Sequence, residues 1–386
     1  MLSDRLAHFE LPPQWSTMRE AAMLEESGKQ IIHMEKGDYA SLEFKPPREA
    51  MEAMRTSLEQ GYVRYSPGAG IRPLREAIAQ EMIKRGRPTI PEEIIVNPGA
   101  KFGIASTFLL FLNDGDEVIM PNPGYPPDEF WARYLRATIK HVAFRDPRNV
   151  DVEQLEKLIT PRTKLVILNS PQRPNGQLIE NNDEIAEVLV RYPHVVIVSD
   201  EIFSKIVYPP YQHSSLSSYP ELKNRTVVIN TFSKTFVMTG LRIGWVAAPV
   251  DIAQKFDILL QNSFTNICTV IQEAALEALK APQSYYEELM ANLTRKRNLA
   301  WDILSTSKHL SVDNTQGSFY LFPRLPEGLS DREAVHLLLN EGVAVVPGSA
   351  FGSAGAGHIR LTFTLEDEIL EEGIQRLVNV IDQAAG

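Results

Sequence analysis

The sequence predicts an α/β fold: a mainly parallel sheet covered by helices, followed by a smaller second domain. Two observations carry this. Short β-branched or apolar runs alternate with segments of helical period through the middle of the chain, and a long helical stretch near the end leads into a strand-like run in a new context. A chain of 386 residues accommodates two domains of ordinary size.

Taken in order, the opening segment holds Pro12, Pro13, Pro46 and Pro47 and is too irregular to fold alone; it is expected to pack onto the C-terminal part. Candidate strands follow at 94–96, 117–120, 164–168, 194–198 and 226–229, each bounded by turn chemistry. Between them, 180–190 and 272–280 read as amphipathic helices. Any one strand is readable as a turn of buried helix, but five in alternation are not. A helical period over 285–307 and the run 317–322 mark the second domain.

Composition narrows the function. Hydrophobic residues make up 44% and charged residues 23%, so a packed core is expected rather than disorder. The formal charge of −10, without long blocks of either sign, argues against a general nucleic-acid surface. Cys268 is the only cysteine, which excludes an intrachain disulfide and a multi-cysteine metal site and fits a reduced, cytoplasmic setting. The start, Met1 to Arg5, lacks the order of a secretory signal. The longest apolar run, 104–112, falls short of the ~20 residues a membrane helix needs. No Walker-type loop, no G-x-G-x-x-G after a strand and no H-E-x-x-H occurs, so nucleotide, dinucleotide and catalytic-metal sites are not indicated.

In open α/β sheets, ligands bind beyond the carboxyl ends of the parallel strands, and these ends carry chemistry. Gly99, Ala100 and Lys101 open a helix whose unpaired N–H groups suit an anion. Tyr125 follows a Pro-Gly turn, Asn169 to Gly176 follow the third strand, Asp200 follows the fourth, and Thr231, Ser233 and Lys234 follow the fifth. Singly, each has an ordinary reading as a connection, a packing aromatic, a helix cap or a solvated loop. Together, an imine-forming lysine, an acid, an aromatic lid and a phosphate cradle are what pyridoxal phosphate (PLP) requires.

From about Ile31 to Arg376 the chain resembles the class I/II aminotransferases, the aspartate-aminotransferase-like group of fold-type I PLP enzymes. The resemblance implies a large domain (48–283) with a mainly parallel seven-stranded sheet in α/β/α layers, a smaller α+β domain (284–386), and an N-terminal segment (1–47) packed with the latter. The run Thr231-Phe232-Ser233-Lys234-Thr235, with Gly240-Leu241-Arg242-Ile243-Gly244, resembles the family's lysine segment. It implies that Lys234 forms the internal aldimine, that Arg242 is the phosphate arginine, and that Thr231 and Ser233 add hydroxyl donors. Gly99-Ala100-Lys101 resembles the phosphate turn, Tyr125 the ring-stacking aromatic and Asp200 the partner of the pyridinium nitrogen; Asn169 belongs to the same cofactor-binding set. Tyr65, in Gly61-Tyr62-Val63-Arg64-Tyr65, resembles the tyrosine that crosses a homodimer interface to the partner's phosphate. Arg360, in His358-Ile359-Arg360-Leu361, resembles the arginine that grips the substrate α-carboxylate in bidentate fashion, with Gly37 near the same carboxylate and 346–352 as the loop before it. The implied chemistry passes through an external aldimine and a quinonoid, with Lys234 as general base and the cofactor, held protonated by Asp200, as electron sink.

Two positions depart from the family pattern. Arg173, in Arg173-Pro174-Asn175-Gly176, stands where members usually have the asparagine that donates to the cofactor's phenolic O3′, and Phe203 stands where a tyrosine usually supplies a second donor. A hydrogen bond to a charged group is worth roughly 1.5–3 kcal/mol, so losing both raises the imine pKa by about one to two units each. Two readings stay open. In one, the chain is an aminotransferase in which Arg173 restores the effect at O3′; in the other, the altered site diverts the intermediate to elimination or cyclisation, as in capreomycidine-synthase-like lyases acting on a hydroxylated arginine. Asp38 and Glu43, near the expected substrate entrance, suit a cationic side chain or are solvated loop charges. A regulator or scaffold built on the same fold is disfavoured by the presence of the lysine.

Overall fold

Strands β1 (Ile94–Asn97), β2 (Glu117–Pro121), β3 (Thr138–Val142), β4 (Thr163–Asn169), β5 (Val196–Asp200), β6 (Thr226–Thr231) and β7 (Gly244–Ala247) form one sheet in the order β1-β7-β6-β5-β4-β2-β3. This is a computed structural model that describes Leu6, Ala7, Phe9 and residues 13–385; Met1 to Arg5 and Pro12, read above, lie outside them. Neighbours from β6 through β3 pair in parallel. Only β7 runs the other way, antiparallel to both β1 and β6. All parallel strands therefore end at one edge, and β7 begins there.

The strands are buried on both faces, which is why they read as continuous apolar runs. Alternation still sorts them. Leu165 and Ile167 face Ile104, Phe108 and Ala132, while Val166 and Leu168 face Ile185 and Leu189 on the opposite side. Nearer β1, Ile94, Val96 and Trp245 pack on Leu74, Ile78 and Ala274. The result is the α/β/α layering expected of the family.

The five strands read from residues alone are present, within two residues at each end. That reading missed β3, a partly exposed edge strand containing Lys140 and His141, and β7, four residues beginning with glycine. The run at 194–198 starts late because Val195 N–H closes a turn onto Tyr192, so the strand reaches Asp200 instead. The three helices expected from the sequence are observed over Asn182–Val190, Thr269–Leu279 and Gln283–Leu304. The apolar run at 104–112 lies in the helix Ala100–Phe111, and among the described residues no helix is long and apolar enough to cross a membrane.

A smaller antiparallel sheet joins β8 (Tyr320–Leu321), β9 (Val346–Pro347) and β10 (Ile359–Thr362) in the order β8-β10-β9. The strand expected over 317–322 shrinks to two residues: Gly317 N–H bonds to Gly176 and Ser318 N–H to Ile206, so its start is tied to the loops after β4 and β5 rather than to a ladder. Ile32–His33 pairs in parallel with Val343–Ala344. One apolar cluster unites Ala21, Met34 and Phe44 with Leu289, Leu338, Leu361 and Ile374.

Candidate active site

A cavity of about 660 Å³ opens at the carboxyl edge of the main sheet, lined by Gly37, Asp38, Ala100, Lys101, Tyr125, Arg173, Thr231, Ser233, Lys234, Arg242 and Arg360. Of the other residues expected in the site, Gly99, Asn169, Asp200 and Phe203 do not border it, and Tyr65 and Glu43 lie elsewhere. Of the two readings open for Glu43, the structure agrees with a loop charge rather than a substrate contact: its carboxylate is bound by Arg295 at 2.7 Å and by Lys296 at 3.2 Å. Asp38 does line the cavity, accepting from Tyr39 N–H at 2.8 Å.

One end of the cavity is built for an anion. Gly99, at φ +86°, turns the chain from β1 into the helix Ala100–Phe111, whose first N–H groups have no partner within the helix. A side chain at position 99 would press to 2.9 Å from Arg242 Nη2, so glycine is needed for the guanidinium to lie against the turn. Arg242 itself adopts a left-handed φ of 54° just before β7 and is anchored by Nη1 to Thr239 O at 2.7 Å. Thr231 Oγ1 donates within 2.9 Å of Ser233 Oγ, placing two hydroxyls beside it. The Lys101 side chain runs toward the Trp15 ring, 5.5 Å from its centroid, so this residue offers the turn its backbone.

Lys234 follows β6. Its Nζ donates to Gly37 O at 2.6 Å, and its own carbonyl accepts from Tyr39 Oη at 2.5 Å. Burial lowers the amine to about 7; Asp38 opposes this, and Arg173, Arg360 and Arg242 add to it. Phe203 packs beneath, its ring centroid 5.9 Å from Nζ. A phenylalanine there offers no hydroxyl, as the sequence indicates.

Across the cavity the Arg173 guanidinium sits over Tyr125, its carbon 3.6 Å from the ring centroid, and donates to Asp200 Oδ2. Both members of the pair are buried. Burial pushes the Asp200 carboxyl up, with Arg173 and the Ile202 N–H pulling it back. Asn169 is paired in register with Asp200 on the neighbouring strand and keeps an unpartnered buried Nδ2.

Arg360 comes from β10. It is 7% exposed, donates to Glu35 O at 2.6 Å and stacks 4.4 Å above the Tyr320 ring, with Nε unpartnered. Burial lowers its proton affinity. Both a guanidinium nitrogen without a partner and a planar stack suit a carboxylate ligand.

The chain matches the family described as aminotransferase class I and II over residues 29–377. The chain belongs to the class I and II aminotransferases. A probable aspartate/prephenate aminotransferase of Aquifex aeolicus is 34% identical over 99% of each chain, and aromatic-amino-acid aminotransferase 2 of Thermococcus litoralis is 35% identical over 88% of this chain and 90% of that one. Among solved structures, a single mutant of the Thermus thermophilus aspartate aminotransferase superposes with a TM-score of 0.91 at 30% identity, covering 98% of this chain and 99% of that one.

Aminotransferases of this family are PLP-dependent, and the residues present fit that cofactor. The cradle of Gly99, Ala100 and Arg242 suits its phosphate, the buried low-affinity amine of Lys234 its aldehyde, and the Tyr125 face its ring. Several residues at or beside the cavity escaped the sequence reading, Lys36 among them. Tyr39, Tyr320 and Trp15 carry no motif of their own, and Glu35 is read only as a neighbour of Gly37. Asp128, on the first turn of the helix Pro126–Tyr134, looks in sequence like a helix-start acid, yet it is buried and its carboxyl is pushed up to about 8.

Proposed function

We propose that the chain transaminates α-amino acids with PLP loaded on Lys234. What carries this reading is the opening of two buried groups, the Lys234 amine and the Arg360 guanidinium, onto one cavity. Arg360, whose side chain lines the cavity, binds the α-carboxylate through its guanidinium. Arg242, Ser233, Thr231 and the N–H groups at Ala100 hold the phosphate, and Asp200 serves the ring nitrogen. When bound, the cofactor supplies the electron sink that makes the substrate Cα proton acidic. Lys234 Nζ, with its proton affinity lowered to about 7, accepts and returns that proton.

The cationic lining of Arg173, Arg360 and Lys36, together with Tyr125, Tyr320 and Trp15, favours an acidic or aromatic amino donor. Aspartate and aromatic amino acids, for which the relatives are named, are the first candidates. With Glu43 bound by Arg295 and Lys296, Asp38 is left against three cationic groups of the lining, which disfavours a cationic side chain, and the relatives lend nothing to the lyase reading. A homodimer, with Tyr65 of the partner subunit completing each site, and a cytoplasmic setting belong to the same proposal.

The test is a half-reaction: loaded enzyme with aspartate or phenylalanine and no keto-acid acceptor. One conversion of cofactor to its amine form per site, then arrest, is expected. Many turnovers with the cofactor unchanged would overturn the assignment. Lys234→Ala should lose both the lysine-bound absorbance and turnover.

A further inference from the structure

Arg173 occupies an unusual place. It is 5% exposed, stacked 3.6 Å over Tyr125 and paired with Asp200, the two groups that the family reading assigns to the face and the nitrogen of the cofactor ring. A guanidinium is flat, positive and rich in N–H donors, so in this position it imitates a protonated pyridine ring. Its charge also answers a second buried acid, since Arg173 draws the Asp128 carboxyl down while burial and Asp200 push it up. Without a cation here, Asp200 is a buried charge with no ion partner, a costly arrangement.

We propose that Arg173 is an internal counter-cation of the cofactor seat: in the cofactor-free chain it fills the space between Tyr125 and Asp200, and it must turn away for PLP to bind. The inference rests on the reading that PLP loads at Lys234. Loading exchanges one partner of Asp200 for another, so it gains less than in a site whose aspartate waits unpaired. The cofactor-free chain is correspondingly steadier, and cofactor capture includes a side-chain displacement.

The experiment titrates apoprotein with PLP, comparing wild type with Arg173→Asn and Arg173→Gln. Lysine-bound absorbance and tryptophan quenching report binding, and melting midpoints are taken with and without PLP. Both variants should bind PLP about tenfold more tightly and capture it faster. Their cofactor-free midpoints should fall below wild type, with a larger gain on loading. Arg173→Lys keeps the charge but not the planar stack, and should fall between. Affinities equal to or weaker than wild type in all three would overturn the proposal and make Arg173 a holder of the cofactor. If no chain, wild type included, develops lysine-bound absorbance while quenching still reports binding, the Lys234 reading fails and the proposal with it.

Discussion

At the residue scale the decisive quantity is the proton on Lys234 Nζ. Burial lowers it from the ordinary 10.5 to about 7, so the amine is a neutral nucleophile over most of the physiological range. Below pH 7 both the native and the unfolded chain carry the proton. Between about 7 and 10.5 the unfolded chain holds a proton that the native chain has shed, so the apoprotein gains stability as pH rises through that window. Lys234→Met should remove this group's share of the slope in melting curves. In wild type, PLP capture should rise with a midpoint near pH 7 and then level; a midpoint near 10 would show an amine in contact with water. The lysine, Arg242 and Arg360 were legible because their neighbours in sequence form motifs. The actual position of Arg173 was not, because a residue type in a loop does not disclose which of two acids and one aromatic ring its side chain will choose. The partners of Glu43 were hidden for the same reason: they lie 252 and 253 positions away, on one helix.

At the scale of elements, the strands that carry the site are tied together at their opposite ends. Glu117 opens β2, its side chain 2% exposed. It accepts from Lys140 on β3 at 2.7 Å, from Thr160 at 2.6 Å and from Thr163 on β4 at 3.1 Å, with Arg162 at 3.0 Å. Burial pushes this carboxyl up, and the hydrogen bonds outweigh it, bringing it to about 2. Glu117→Gln should destabilise the fold by about 2 kcal/mol at neutral pH while cofactor binding is retained. The stabilisation is complete above the ordinary 4.5 and is lost as pH falls through 2, so the melting points of the two proteins should converge in acid; a constant gap would refute the ionic account. The strands that this residue clamps illustrate what sequence can and cannot disclose. Central β4 and β5 are buried on both faces and appear as unbroken apolar runs. Edge strand β3 carries the lysine that Glu117 needs, and that polar residue hid it.

At the scale of the whole molecule, one surface of the chain exposes a group of large apolar side chains. Leu58, Tyr62, Val63 and Tyr65 are 57%, 54%, 69% and 88% exposed, in the helix Arg48–Glu59 and the segment just after it, and Phe264 is 53% exposed. Clustered apolar exposure of this kind marks an interaction surface, and a two-fold interface would bury the same patch on both copies. Tyr65 does not border the cavity of its own chain, which agrees with its serving the site of a second copy. Subunit exchange decides the matter. Tyr65→Ala is expected to weaken the hold on phosphate, and Lys234→Ala to be inert. In a hybrid of the two, the site that keeps its lysine receives Tyr65 from the other chain. Mixing equal amounts under conditions that let subunits exchange should therefore restore about a quarter of the wild-type sites, since half the dimers are hybrids and each has one intact site. If Tyr65 acted within its own chain, or if the protein were monomeric, no mixing ratio would raise activity above the sum of the parents. Activity that appears on mixing and scales with the hybrid fraction places the tyrosine across the interface.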